Sequence, residues 1–111
     1  MNNALRTLSV ILALAASSAA FAGGDPAAGQ QKSQTCAACH GADGNAANPM
    51  YPRLAGQYQD YLLRALMDYK SGDRKNPIMN GMVAALSEQD MEDLAAYFAS
   101  QTGVFNTVPQ R

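Results

Sequence analysis

Apolar residues recur between residues 57 and 70 with the spacing of an α-helix. They fall at positions i, i+3, i+4, i+7, i+8 and i+11, while the charged residues fall mostly on other faces. Ser71 and Gly72 follow, and such a pair is typical of a helix end. The pattern therefore predicts an amphipathic helix whose packed face consists of Tyr58, Tyr61, Leu62, Ala65, Leu66 and Tyr69.

A second helix is predicted after Ser87. Serine is a favourable N-cap residue, and the acidic residues at positions 88 and 90 suit the positive end of a helix dipole. Residues 101–103 end in glycine and are expected to stop the helix. Its inner face is predicted to be Met91, Leu94, Ala95 and Phe98.

A further helix is predicted near the start of the domain. Asp25 is a favourable N-cap residue, and Pro26 suits the first helical position. We expect the helix to continue to about Gln34. Gly29 lies inside it and costs about 1 kcal/mol relative to alanine, which is reasonable if another helix crosses closely there.

The remaining segments show neither helical nor strand periodicity. Residues 41–56 are rich in glycine, asparagine and proline, and residues 73–80 are polar with one proline, so both are predicted to be loops. Residues 81–86 are predicted to form one or two irregular helical turns. Since the sequence has no β pattern, repeat or second domain, we expect an all-α fold of three main helices joined by irregular loops.

The N-terminal segment differs in composition from the rest. A positively charged start precedes an apolar run over residues 8–16, and residues 20–22 form an A-x-A cleavage site. The run is short for a membrane span, although an uncleaved membrane anchor is the alternative. We expect residues 1–22 to be a cleaved signal peptide, leaving residues 23–111 as one periplasmic domain without a transmembrane span.

Composition limits the possible functions. The chain of 111 residues carries 8 basic and 9 acidic residues with no basic run, which argues against a nucleic-acid partner. It has no tryptophan and 3 phenylalanines, so little side-chain material is available for a self-sufficient apolar core. A buried apolar cofactor would supply that missing volume.

Cys36, Cys39 and His40 form a C-x-x-C-H motif. Its two thiols can add to the two vinyl groups of a haem, and the histidine is then placed under the iron as an axial ligand. A disulfide would not need the histidine, a thioredoxin-like pair would need a βαβ context, and a zinc site would need more ligands than the sequence contains. The motif therefore predicts one covalently attached haem c with His40 as the proximal iron ligand.

The second axial ligand is less clearly defined by the sequence. Because His40 is the single histidine, a bis-histidine site is excluded. Methionine, lysine, tyrosine or water remains, and Met79 and Met82 lie in the irregular segment where a loop can bring a thioether to the iron. Spacing alone does not separate these two methionines.

Five segments of the chain carry a family resemblance. They are CAACH at 36–40, YPRLAGQ at 51–57, NPIM at 76–79, LSEQD at 86–90 and LAAYF at 94–98. Together they resemble a class I c-type cytochrome of the small bacterial monohaem kind, similar to one domain of the dihaem periplasmic cytochromes. The first motif is specific to c-type haem attachment, and the others together are specific to class I.

The resemblance implies a ligand set. In this family the methionine seven residues before the leucine of the Leu-Ser helix start binds the iron, and here that residue is Met79, with Met82 as the alternative. The resemblance also implies that the carbonyl of Pro52 accepts a hydrogen bond from the Nδ1–H of His40. Such a contact fixes the tautomer and makes the imidazole a better ligand.

The resemblance further implies the cytochrome c fold, in which the helices and loops wrap around one haem. It suggests that Gly29 and Tyr97 meet where the first and last helices cross. It places Arg53 near a haem propionate, with a solvated loop arginine as the alternative.

An iron held by His40 and Met79 has no vacant position for a substrate, so we predict an electron carrier and not an enzyme. Expected partners are a membrane quinol oxidoreductase as donor and a terminal oxidase or reductase as acceptor. The alternatives are a haem enzyme or gas sensor with an open distal site, or a cytochrome subunit of a larger complex. An apolar docking rim is expected from Ala37, Ala38, Ala47, Met50 and Met82.

Overall fold

Five α-helices are present in the described part of the chain. The structure, a computed structural model, describes residues 23–104, and the predicted signal peptide at 1–22 lies outside the described residues. No strand occurs within residues 23–104, which confirms the predicted all-α class. The helices are α1 (Pro26–Lys32), α2 (Gln34–His40), α3 (Gln59–Ser71), α4 (Pro77–Val83) and α5 (Glu88–Ser100).

The predicted helix starts are confirmed at both ends of the domain. The Asp25 carboxylate accepts a hydrogen bond from the Ala27 amide (3.0 Å), and Pro26 opens α1. At α5, the Ser87 hydroxyl accepts from the Asp90 amide (3.1 Å), and the Asp90 carboxylate accepts from the Ser87 amide (2.9 Å). This reciprocal capping box satisfies two amide groups that a helix start leaves without partners.

The sequence predicted one helix from Pro26 to about Gln34, and the predicted C-terminal end of this helix is wrong. The helix stops at Lys32, and a separate helix, α2, carries the cysteine motif. The cause lies at buried Ser33, whose hydroxyl donates to the Gln30 carbonyl (2.8 Å). Side-chain hydrogen bonds of this kind compete with helix propagation and allow the chain to change direction.

The prediction that residues 73–80 form a loop is also wrong in part, because α4 begins at Pro77. The Asn76 side chain accepts hydrogen bonds from the amides of Ile78 (3.0 Å) and Met79 (3.2 Å), and proline occupies the first helical position. Asparagine followed by proline is a recognised start signal that outweighed the lack of a clear apolar stripe. Both candidate methionine ligands therefore lie on a short helix and not in a loop.

Helices α1 and α5 cross at Gly29, as expected. A Cβ atom at Gly29 would lie 2.0 Å from the Asp93 carbonyl oxygen and 2.7 Å from the Tyr97 Cβ, so the close approach requires glycine. Tyr97 also donates from its hydroxyl to the Ala42 carbonyl (2.6 Å). The crossing is therefore linked to the loop that follows the cysteine motif.

A buried carboxylate secures the same crossing. Asp93 is 3% exposed and accepts hydrogen bonds from the Asp25 amide (2.8 Å), the Gln89 amide group (2.8 Å) and the Lys32 ammonium (2.6 Å). Burial acts to raise the pKa of Asp93, but these three donors together outweigh burial and lower it. Lys32 also pairs with Asp90 at 2.8 Å, so one cation joins α1 to two positions of α5.

The apolar core lies between α3 and α5 and contains Leu62, Leu94, Ala95, Tyr97, Phe98 and Ala99. The predicted inner face of α5 is confirmed, since its four members are buried. Two members of the predicted packed face of α3 are exposed: Tyr58, which precedes the first helical residue, is 59% exposed, and Tyr61 is 51% exposed. Among the helices of residues 23–104, none combines the length and apolar character needed to cross a membrane.

Replacing Gly29 by alanine tests the helix crossing. We expect Gly29→Ala to lower the free energy of unfolding by about 2 kcal/mol or more, because the new methyl group meets backbone atoms that cannot move without separating α1 from α5. Urea unfolding followed by circular dichroism measures the change.

Gly81→Ala is the matched control, since Gly81 also lies within a helix but a Cβ there would meet nothing within 4 Å. We expect it to raise stability by up to about 1 kcal/mol through helix propensity. Equal effects of the two substitutions would contradict the close crossing.

The ion pairs of Lys32 with Asp90 and Asp93 predict that the domain loses stability in acid. The hydrogen bond from Lys32 is the largest of the interactions that lower the pKa of Asp90 from 3.8 to about 2. Because the pKa is lower in the folded state, the ionised carboxylate stabilises the fold above pH 3.8, and this contribution is lost as the pH falls towards 2. We expect Lys32→Met to reduce the pH dependence of the free energy of unfolding in this window.

Urea unfolding at a series of pH values measures this dependence. Lys75→Met, which removes one charge from the exposed loop before α4, is the control and should retain the wild-type slope. An unchanged slope in Lys32→Met would show that the ion pairs do not control acid stability.

Candidate haem site

A cavity of about 300 Å³ lies between the helices, with walls from α2, α3, α4, α5 and the loops before and after α3. Its lining is mostly apolar because the inner faces of α3 and α5 border it. The apolar walls are formed by Leu54, Leu62, Ala65, Leu66, Leu94, Ala95 and Phe98.

Helix α2 brings the predicted attachment residues together. Cys36, Cys39 and His40 stand at positions i, i+3 and i+4, which lie on one helix face. Cys36 and His40 line the cavity, and Cys39 is half-buried beside them. Both thiols are free, so the disulfide alternative is not formed, and burial raises the pKa of Cys36.

His40 is 7% exposed and oriented by the following loop. Its Nδ1 lies 2.8 Å from the carbonyl oxygen of Pro52. A carbonyl oxygen can only accept, so Nδ1 carries the proton and donates, and Nε2 keeps its lone pair for a metal. The Tyr51 ring contacts the imidazole edge-on at a centroid distance of 6.5 Å, which further limits rotation of the imidazole.

The two candidate methionines occupy different faces of α4. Met79 is half-buried and lines the cavity, and Val83, one turn later, is 1% exposed. Met82 is 45% exposed and does not line the cavity, and Ile78 beside it is 63% exposed. The helix therefore presents one of the two sulfur atoms to the cavity and the other to solvent.

Two arginines, Arg53 and Arg74, are among the residues that line the cavity. Arg74 donates from Nη1 to the Tyr61 hydroxyl (3.3 Å), and its guanidinium carbon lies 5.0 Å from the centre of the Tyr69 ring. Both tyrosines also line the cavity.

Sequence reasoning missed Arg74. Its position follows from the end of α3, where Gly72 adopts a left-handed φ of 88° and the Arg74 amide then donates to the Asp68 carbonyl (3.0 Å). The Gly72 helix stop was visible in the sequence, but the direction of the chain after it was not.

The cavity residues fit a covalently attached haem. The walls are apolar, as the macrocycle requires, and two thiols with an adjacent imidazole stand on one helix. A thioether is available from another helix, and two guanidinium groups are available for the two propionates of a haem.

The chain belongs to the cytochrome c family, whose model matches residues 26–102. Its class is therefore that of the c-type cytochromes, and it carries covalently bound haem c, with Cys36, Cys39 and His40 forming the family's attachment motif. The cytochrome c4 relatives are electron carriers and not enzymes. The family and cofactor predicted from the sequence are confirmed.

Particular relatives refine this placement. The chain is 51% identical over 94 residues to cytochrome c4 of Pseudomonas aeruginosa, an alignment that covers 85% of this chain and 47% of the relative. It is 46% identical over 81 residues to cytochrome c-554(548) of Halomonas halodenitrificans, covering 70% of this chain and 98% of that protein.

The fold matches a solved structure as well. The crystal structure of reduced recombinant cytochrome c4 from Pseudomonas stutzeri superposes with a TM-score of 0.69 at 50% identity, covering 72% of this chain and 47% of that one. The chain thus spans about half the length of the cytochrome c4 proteins that it matches.

Proposed function

We propose that this chain is a periplasmic electron carrier in which His40 and Met79 are the axial ligands of a haem iron. The haem is attached through Cys36 and Cys39. When bound, it supplies a reversible one-electron couple between ferrous and ferric iron. The observation that supports this proposal most strongly is that Met79 lines the same cavity as Cys36 and His40.

The contrast with Met82 supports the choice of sulfur ligand. Met82 is 45% exposed and lies outside the cavity lining, whereas Met79 is half-buried within it. For Met82 to reach the cavity, α4 would have to rotate and expose Val83, which is 1% exposed.

The ligands suit an electron carrier. His40 provides a neutral nitrogen, and its hydrogen bond to Pro52 holds the ring in one orientation. Met79 provides a neutral thioether, which favours ferrous iron and so raises the reduction potential. Because both ligands stand on helices, little rearrangement of the chain accompanies a change of charge.

Arg53 and Arg74 have a complementary role in this proposal. Both arginines line the cavity and would supply positive charge for the haem propionates, which would otherwise leave carboxylates beside apolar walls. The Tyr61 hydroxyl and the Tyr69 ring hold Arg74 in place for this contact. Arg53 lines the cavity and is also exposed, so a solvated arginine is the alternative at this position.

The proposal includes export and respiratory partners. Residues 1–22 are the cleaved signal peptide, and residues 23–111 are the cytochrome domain in the periplasm. A membrane quinol oxidoreductase is the proposed donor, and a terminal oxidase or reductase is the proposed acceptor.

Visible spectra of ligand variants test the ligand set. The oxidised wild-type protein is expected to be low-spin, with a sulfur-to-iron charge-transfer band near the red edge of the spectrum. Met79→Ala should lose that band, become high-spin and bind carbon monoxide readily when reduced, because water is a weaker-field ligand than a thioether. The matched control, Met82→Ala, should keep the wild-type spectrum.

If Met82→Ala lost the sulfur-to-iron charge-transfer band and Met79→Ala kept it, Met82 would be the axial ligand. A high-spin spectrum of the wild-type protein would instead favour an open-site haem enzyme or sensor.

The exposed apolar side chains suggest how a partner docks. Met50 is 83% exposed and Met82 is 45% exposed, and Ala38 and Ala47 are exposed near the attachment motif. Ala37 is half-buried beside them. We propose that these five residues, the docking rim, contact the redox partner chiefly through apolar surface, with little charge steering.

Salt dependence measures the contribution of charge to docking. The rate at which membranes that contain its terminal oxidase oxidise the reduced protein should change less than about tenfold between about 0.01 M and 1 M salt. Over this range, screening removes long-range electrostatic attraction. Met50→Ser should slow the reaction, whereas Met67→Ser, at an exposed methionine of α3 outside the docking rim, should not. A steep fall in rate with salt would contradict apolar docking.

A further inference from the structure

The side chain of Asn80 forms hydrogen bonds with three backbone positions, one at the end of α3 and two in the loop before α4, beside the proposed methionine ligand. Its Nδ2 donates to the carbonyl of Tyr69 at the end of α3 (2.7 Å) and to the carbonyl of Arg74 in the following loop (3.0 Å). Its Oδ1 accepts from the amide of Asn76, which caps α4 (2.9 Å). Asn80 is half-buried and directly follows Met79.

This arrangement matches the chemistry of a primary amide. Two carbonyl oxygens need donors and one N–H needs an acceptor, and the asparagine side chain offers both donors and the acceptor in one plane. A carboxylate can only accept at neutral pH, so aspartate at this position would face two carbonyl oxygens without a proton to give. An alanine would break all three links.

The position of α4 depends on such links. The helix has seven residues, which is too few to be stable without tertiary contacts. Its outward residues Ile78 and Met82 are exposed, so packing secures one face alone. A second polar link runs from the Lys70 ammonium to the carbonyls of Ala84 (3.4 Å) and Leu86, so it secures the C-cap of α4, at the opposite end of the helix from Asn76.

We propose that Asn80 is a positioning residue that holds Met79 in the cavity by fixing α4 to the end of α3. This inference rests on the proposed role of Met79 as an axial ligand. Asn80 makes no contact with the iron in this scheme. It acts by lowering the population of the state in which the thioether has left the iron.

Imidazole binding to the oxidised holoprotein measures that population. Imidazole competes with Met79 for the iron, so its apparent dissociation constant equals the intrinsic constant divided by the fraction of molecules in which Met79 is displaced. Loss of three hydrogen bonds, partly replaced by water, should make imidazole bind to Asn80→Ala about tenfold more tightly. Visible absorbance follows the titration.

Four further variants complete the design. Asn80→Asp, which is nearly isosteric and removes both donors, should change affinity in the same direction and covers the case in which Asn80→Ala folds poorly. Gly29→Ala weakens the fold at the α1–α5 crossing, away from α4, and should bind imidazole like the wild type. Met79→Ala should bind imidazole more tightly than any variant that retains the thioether, and Met79→Ala/Asn80→Ala should bind no more tightly than Met79→Ala.

Each result decides between two explanations. The positioning role would be overturned if both Asn80 variants bound imidazole with wild-type affinity. It would also be overturned if Gly29→Ala tightened imidazole binding as much as Asn80→Ala does, or if Asn80→Ala tightened binding equally when Met79 is already absent. If Met79→Ala binds imidazole no more tightly than the wild type, Met79 is not the ligand, and the proposed ligand set fails together with the role of Asn80. A gain in Met79→Ala without one in the Asn80 variants removes the positioning role alone.

Discussion

The apolar cavity between α3 and α5 is the feature on which the rest of the domain depends. Leu94 and Phe98 belong to the core and also form cavity walls, so the interior of the domain continues into the binding site. Among residues 23–104, Leu94 and Val83 are the largest side chains that are fully buried. Because a small domain buries a modest fraction of its surface, additional apolar volume stabilises it. Covalent attachment of haem through α2 supplies it permanently, so folding and cofactor binding are energetically coupled.

The frame around that cavity is secured by polar contacts as well as by packing. Gly29 lets α1 approach α5, and buried Asp93 joins the two helices through donors from both. Tyr97 extends the same connection to the Ala42 carbonyl, two residues after His40. The position of His40 is thus linked through one loop to the most buried helix of the domain. Such a connection favours a constant orientation of the proposed iron ligand.

The sequence predicted those parts of the molecule that depend on local signals. Each of these signals involves residues that are close together in the sequence, and each predicted a correct element or cofactor. They are the helix caps at Asp25 and Ser87, the apolar stripe of α5 and the C-x-x-C-H motif. Ser33 interrupted a predicted helix because its hydroxyl donates a hydrogen bond to the Gln30 carbonyl. Helix propensity does not reveal whether a serine side chain makes this contact. Asn76 before Pro77 was a readable helix start that was overlooked. Arg74 and Asn80 gain their roles from where α3 ends, which no local pattern specifies.

Helix α4 combines two requirements that oppose each other. Its inner face carries Met79 and Val83 towards the interior, whereas its outer face exposes Ile78 and Met82. A partner that covers the outer face would therefore touch the same short helix that bears the proposed iron ligand. If α4 were held by packing alone, fewer interactions would oppose a shift of the helix, and with it of Met79, under such contact. The hydrogen bonds of Asn80 to the end of α3 resist this displacement, so the helix can present apolar surface to a partner while its inner face stays in register with the cavity.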